Sequence, residues 1–284
     1  MDDSIRFAVN RICAARMPFP AFVAMVRRLG VDTIELRNDL DGVETRDGTS
    51  PDSVAAMAQS HGLKIRSINS LQRFDLWDTD RQREATELMR YASACGAEAI
   101  VLCPTNSRQD LRTGEQRHDD LLRSLSQLLP LLDQHGLVGL VEPLGFPECA
   151  VRSKSQVVGT LQAIGAPASL QLVHDTFHHH LTGEGLLFPE YTGLVHVSGV
   201  DDPTIVPEAM RDPHRVLVGP DDRLGNAAQL RTLLDAGYRG AVSFEPFDEA
   251  IIGADDIEQQ LARSMAYLSA AVADSTGLDV NSVR

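Results

Sequence analysis

No stretch of this sequence reaches the roughly eighteen consecutive apolar residues that a membrane-spanning helix needs, so none is expected. Paired cysteines are missing too. The four present, Cys13, Cys95, Cys103 and Cys149, form no CxxC pair and no zinc-finger spacing. They read as reduced, mostly buried thiols of a cytoplasmic protein. A dense cluster of Lys and Arg is also absent. Acidic residues outnumber basic ones 40 to 26, for a formal net charge of −14. Proteins that wrap nucleic acid concentrate cations to displace the counterions of phosphates, so the expected partner is instead a small neutral or weakly charged molecule. The N-terminal Met1-Asp2-Asp3-Ser4-Ile5-Arg6 is acidic and lacks an apolar h-region, so no secretion signal is expected. Two further absences bear on the fold. No Pro/Gly/Ser-rich linker divides the chain. The first apolar run is followed by Asn10-Arg11-Ile12-Cys13, not by the glycine-rich loop that marks an open dinucleotide-binding sheet.

What is present is a regular alternation. With 43% hydrophobic residues in a chain of 284, a sizeable core can be buried. Strand-like apolar runs stand at 5–9, 33–36, 64–68, 99–102, 138–142, 171–175, 194–197 and 241–245. Amphipathic segments between and after them predict helices over 19–29, 51–61, 80–95, 115–135, 153–164, 226–235 and 257–272. Several of these stop at a glycine, the commonest residue just past a helix end. The strands are apolar without interruption, as parallel strands covered on both faces must be. Eight such strands in one α/β chain of this length predict a single (β/α)8 barrel over 1–275, with a loose tail over 276–284. The exposed helices of a barrel commonly pair, so a homodimer is an expectation, although no patch marks it.

The active site of such a barrel lies at the carboxyl ends of its strands, so the polar residues there are the ones to weigh. They are Asn10 and Arg11, Glu35 to Asn38, Asn69, and then Glu142, Asp175, His196 and Glu245 on four consecutive strands. Carboxylates converging without a counterion repel one another. One bound divalent cation removes that cost, and three oxygen donors with one imidazole suit Mn²⁺, Co²⁺, Zn²⁺ or Mg²⁺. Glu142, Asp175, His196 and Glu245 are therefore the expected metal ligands. The alternative is that Glu142 and Glu245, each followed by proline, merely end strands and pair with arginines. Asp175 has its own alternative, as the N-cap of a helix.

Other residues are candidates for substrate contact. His178 follows Asp175 at a spacing that brings it back toward the rim, while His179 and His180 read as incidental. His174 should point away from the site, one residue before Asp175 along the strand. Arg11, Arg37, Arg73 and Arg215 can hold substrate oxygens or balance the carboxylates. Trp77, the only tryptophan, follows Gln72-Arg73-Phe74-Asp75 in the loop after the third strand and can cover a polyol ring or pack structurally.

Four segments, Val141-Glu142-Pro143, Asp175-Thr176-Phe177-His178, Val195-His196-Val197 and Ser243-Phe244-Glu245, give the chain a resemblance. Over nearly its whole length it resembles the xylose isomerase-like TIM-barrel superfamily. That group includes sugar isomerases, ketose 3-epimerases, inositol-catabolic enzymes and the endonuclease IV type of DNA-repair enzyme. The resemblance implies metal ligation by Glu142, Asp175, His196 and Glu245, with His178 beside the substrate. Within the group the chain looks most like isomerases of 2-keto-myo-inositol (inosose), through Glu35-Leu36-Arg37-Asn38-Asp39, Asn69-Ser70-Leu71-Gln72-Arg73-Phe74 and the segment from Asp175 to His180. This implies an enzyme of inositol catabolism that moves the ketone of a cyclic polyol to the adjacent carbon through an enediolate. Glu142 and Glu245 would transfer the proton and His178 would hold a substrate oxygen; a hydride shift is the mechanistic alternative. The remaining readings are a ketose 3-epimerase or another sugar isomerase, then an inosose dehydratase or an endonuclease IV-like phosphodiesterase, and lastly a non-catalytic polyol sensor. Ketose 3-epimerases carry an arginine six residues after the seventh-strand histidine, where this chain has Asp202.

Overall fold

In the computed structural model, which describes residues 4–274, eight parallel strands close into a barrel in the order of the sequence. They are β1 (Arg6–Asn10), β2 (Thr33–Arg37), β3 (Lys64–Gln72), β4 (Ala99–Cys103), β5 (Val138–Val141), β6 (Leu170–Asp175), β7 (Thr192–Val197) and β8 (Ala241–Phe244). The ring closes because β1 pairs with β8 as well as with β2. Around it lie α1 (Phe19–Arg28), α2 (Pro51–Ser60), α3 (Thr79–Ala94), α4 (Gly114–His135), α5 (Lys154–Ala163), α6 (Thr176–Thr182), α7 (Asn226–Asp235), α8 (Glu249–Ile252) and α9 (Ile257–Asp274). The chain thus has the expected (β/α)8 architecture. The tail expected at 276–284 lies outside the described residues. Among the described residues no helix is long and apolar enough to cross a membrane, and all four cysteines are free and buried.

Strand periodicity decides what faces where. Successive side chains point to opposite sides of a strand, so Ala99, Val101, Leu140, Val173 and Leu194 fill the barrel interior. Their neighbours Ile100, Leu102, Val141, Leu172 and Val195 pack outward against the helices in the main core. The same two-residue step carries the inward row of each strand up to its polar end, Cys103 on β4, Glu142 just past β5, Asp175 on β6 and His196 on β7. Asp175 pairs with His196, and His196 with Ser243, across the ladder. The cluster is therefore set by register as well as by residue type. Most helices are capped in the way the sequence suggests. Ser50 accepts from the Ser53 amide ahead of Pro51, Thr113 and Gln116 form a reciprocal capping box, and Gly136 ends α4 at φ 65°.

Three elements differ from the sequence reading, one of them the four-residue helix α8, where no helix was expected. β3 runs on to Gln72, because the polar residues after Ile68 keep pairing with β4 through a register shift between Asn69 and Leu71. The segment after Asp175 forms the short helix α6, which hydrophobic periodicity over so few residues does not mark.

Candidate metal centre

Glu142, Asp175, His196 and Glu245 meet at the carboxyl end of the barrel. One ligand atom from each lies within 4.8 Å of all the others, and all four residues are buried. The Nδ1 edge of His196 faces the cluster, 2.9 Å from Glu142 Oε1, 3.3 Å from Glu245 Oε2 and 4.0 Å from Asp175 Oδ2. Its Nε2 faces the other way, 3.2 Å from Glu35 Oε2. Asp175 divides its two oxygens. Oδ1 accepts from the amides of Phe177 (2.8 Å) and His178 (3.0 Å), capping α6, while Oδ2 accepts from Arg215 Nη2 at 2.6 Å. It is both a helix cap and a member of the cluster.

The charges are deeply buried and incompletely balanced. Glu35, Glu142, Asp175 and Glu245 are four buried carboxylates, and two guanidiniums, Arg37 and Arg215, reach them. Arg37 Nη1 donates to Glu245 Oε1 at 2.7 Å and Arg215 Nη2 to Glu245 Oε2 at 3.1 Å. Burial works to raise the pKa of Glu245, but His196, Arg215 and Arg37 hold it far below the usual carboxylate range. Burial likewise opposes ionisation of Asp175, and Arg215 and His178 outweigh it and hold its pKa low. For His196, burial favours the neutral ring, yet the carboxylates of Glu245, Glu35 and Glu142 push its pKa well above the ordinary value. An imidazolium still leaves the group one positive charge short. Arg37 is shared with Asp39 and Arg215 with Asp212, so an excess of buried negative charge remains, and the donor set fits a hard or borderline divalent ion that would offset it.

Above the cluster opens a cleft of about 430 Å³ whose lining includes Glu142, Glu245, His178, Phe146 and Phe247. A larger hollow of about 780 Å³ lies at the opposite end of the barrel and is lined by Arg6, Lys64 and Arg66. It has no such cluster, and barrel chemistry sits at the carboxyl end. His178 is buried with its Nδ1 unpartnered, between the rings of Phe146 and Phe177. Gly145 lets this wall close: a Cβ there would stand 2.3 Å from the His178 carbonyl oxygen.

The structure brings Arg37, Arg73 and Arg215 to the cleft as well. Arg73 is exposed at its mouth. Arg37 and Arg215 are engaged with the carboxylates, and both stack on the ring of Phe247. Arg11 and Trp77 are not brought there. The turn after β1 directs Arg11 to Glu44 (3.1 Å) and to the carbonyls of Ala14 and Met17, and Trp77 packs against the main core. Of the arginine alternative for the two glutamates, Glu245 fits it in part. Glu142 bonds His196 and the thiol of Cys103 (3.5 Å), with no guanidinium contact among the described residues. Asp202 is exposed on the loop after β7. The same loop does deliver a guanidinium to the cluster, but from Arg215, held by Ser198 Oγ and by the pairing of Gly199 with Val216.

The sequence reading left several residues of the site without a role. Asn69 Nδ2 donates to Glu245 at 3.0 Å, and Glu35 backs His196. Phe146 and Phe247 form aromatic walls, and their signal was present, since each lies just downstream of a Glu-Pro pair.

Comparison with known proteins agrees with this fold. The family model described as xylose isomerase-like TIM barrel matches residues 23–271. The chain belongs to this family. Among its relatives are an inosose isomerase of Bacillus licheniformis, 27% identical over 192 residues (65% of this chain and 68% of the relative), and an inosose isomerase of Halalkalibacterium halodurans, 26% identical over 225 residues (77% and 79%). A xylose isomerase domain-containing protein from Salmonella typhimurium superposes with a TM-score of 0.85 at 32% identity, covering 94% of this chain and 98% of that one. The IolI protein with a bound zinc atom superposes at 0.83 with 20% identity, covering 96% and 100%, a likeness of fold.

Behind the cluster this family member carries a second buried polar group. As expected, His174 points outward from β6. Its Nδ1 accepts from Lys154 Nζ at 3.0 Å, and the same ammonium reaches His179 Nδ1 at 2.6 Å. His179, read as incidental, is thus part of a network. Burial lowers the Lys154 pKa from 10.5 to about 7, against the opposing pull of Glu184 and Asp175. Below about pH 7 the folded and unfolded chains both carry this proton, and the burial penalty is present in full. Between about 7 and 10.5 the unfolded chain binds a proton that the folded chain has released, so stability rises with pH across that window. We expect the melting temperature of the wild type to gain a few degrees more between pH 7 and 9 than that of Lys154→Met. Identical slopes in a melting series would show that Lys154 does not titrate there.

Proposed function

We propose that this chain is a metal-dependent isomerase that moves the ketone of a cyclic polyol, an inosose, to the adjacent carbon. The observation that carries this reading is the meeting of Glu142, Asp175, His196 and Glu245 beneath a cleft walled by Phe146 and Phe247. The excess of buried negative charge there suits a divalent ion. The relatives described as inosose isomerases support the substrate class. A nearly neutral cleft, in which the described arginines other than Arg73 are engaged with carboxylates, also suits an uncharged polyol.

Glu142, Asp175, His196 and Glu245 would hold one ion, Mn²⁺, Co²⁺, Zn²⁺ or Mg²⁺. Once bound, the ion would polarise the ketone and the neighbouring hydroxyl oxygen and so acidify the C–H bond between them. The protein supplies the proton transfers. Glu142 takes the proton from the hydroxyl-bearing carbon and returns it to the former carbonyl carbon, passing through the enediolate. Glu245 is held by two guanidiniums and Asn69, which makes it the weaker base and the stronger anchor of the pair. His178, which lines the cleft and whose buried Nδ1 has no partner, moves the hydroxyl proton from one substrate oxygen to the other. The guanidiniums of Arg37 and Arg215 stabilise negative charge on those oxygens. The phenyl rings cover the apolar C–H face of the substrate ring.

The test is proton NMR of 2-keto-myo-inositol with metal-stripped protein in D₂O, before and after addition of Mn²⁺, with the ion removed again for detection. We expect a new inosose to form only with metal and to carry deuterium beside the carbonyl. Isomerisation without deuterium would keep the function and point to a hydride shift or to a proton that Glu142 returns shielded from solvent. No reaction with any of the four ions would remove inosose as the substrate.

A further inference from the structure

Glu35 is fully buried on β2, behind the cluster, and is not among the residues that line the cleft. An ionised carboxylate buried this deeply costs several kcal/mol unless it is matched by charge and hydrogen bonds. A leucine facing the same interior carries no such cost. Among the described residues no lysine or arginine contacts it. Ser67 Oγ donates to its Oε2 at 2.6 Å, Asn10 Nδ2 approaches Oε1 at 3.4 Å, and His196 Nε2 lies 3.2 Å from Oε2. Two neutral donors therefore hold the carboxylate with both oxygens 3.2 Å from the back of the imidazole, whose front edge faces Glu142 and Glu245.

We propose that Glu35 is the positioning residue of His196: by accepting the Nε2 proton, it leaves the Nδ1 lone pair for a divalent ion. A neutral imidazole has one donor and one acceptor nitrogen. The opposite tautomer sets a lone pair against a carboxylate and a proton where the ion belongs. A carboxylate behind a ligating histidine fixes the ring and raises its basicity, and its loss typically weakens metal binding ten- to a hundredfold. The inference rests on the proposed metal site but not on the identity of the substrate.

It is tested on the full chain by Zn²⁺ affinity, from competition with a chromophoric chelator. Proton–nitrogen NMR of the Zn²⁺-loaded imidazole supplies a second readout. We expect the wild type to show Nε2–H of His196 far downfield, as a strongly hydrogen-bonded proton. Glu35→Leu should lose that resonance position and bind Zn²⁺ ten- to a hundredfold more weakly. Glu35→Gln, whose amide oxygen can accept the same proton, should fall between them. Should Glu35→Leu not fold, Glu35→Gln carries the test, with an upfield move of Nε2–H and a several-fold loss of affinity. Wild-type affinity and resonance position in a folded variant overturn the proposal. Absence of Zn²⁺ binding by the wild type removes the metal site itself, which separates the two failures.

Discussion

Exchange of Glu142 for Gln is expected to lower kcat about a thousandfold or more, within the range that general acid–base groups contribute, while the barrel stays folded. Glu142 bonds only His196 and Cys103 among the described residues. An amide in its place strands no arginine. The variant therefore separates loss of the base from loss of structure, and circular dichroism should match the wild type. Glu245→Gln is expected to be as inactive for a different reason. Its carboxylate accepts from Arg37, Arg215 and Asn69, so the amide leaves two buried guanidiniums short of charge, and a lower melting temperature should accompany the lost turnover. Near-wild-type rates in both variants would remove these glutamates from the chemistry.

Stripping the protein with a chelator is expected to abolish turnover, and added divalent ion should restore it. The same treatment should lower the melting temperature. An ion bound by the folded chain alone, present at a hundred times its Kd, stabilises by about 2.7 kcal/mol, which for a barrel of this size is about 5 °C. The shift should shrink on acidification, because ion and protons compete for the same cluster: its carboxylates hold His196 protonated in the metal-free chain. A chelator-treated protein with unchanged activity and melting point would rule out the ion.

The barrel was legible because most of its strands are largely apolar runs and most of its helices end at glycines; those patterns are local. The four members of the cluster were legible for a related reason. An inward-facing row that changes from Val173 to Asp175, or from Leu194 to His196, announces a rim residue within one strand. Glu35 breaks its strand in the same way, yet local sequence cannot say whether a rim carboxylate faces an ion or the back of an imidazole. That depends on how far β2 stands from β7 across the ring and on how the histidine is turned. Arginines were harder still. Arg215 reaches the cluster because Gly199 and Val216 pair within a long loop, whereas Arg11, one residue past β1, is turned away to Glu44. Long side chains on loops have no periodicity to place them. Trp77 was placed by sequence adjacency alone. The neighbouring Asp75 is tied to Arg112 and Thr105, while the indole packs on the core.

The divided carboxylate of Asp175 has a consequence for how such an enzyme can change. One oxygen starts α6 and the other faces the cluster, so the distance from the ion to His178 is set within a single turn of chain. The segment from Asp175 to His178 must be inherited or grafted as one piece. A designer seeking a new substrate should leave that turn alone and vary the cleft at the exposed Arg73, for the ring of Phe247 supports Arg37 and Arg215, which hold Glu245 and Asp175.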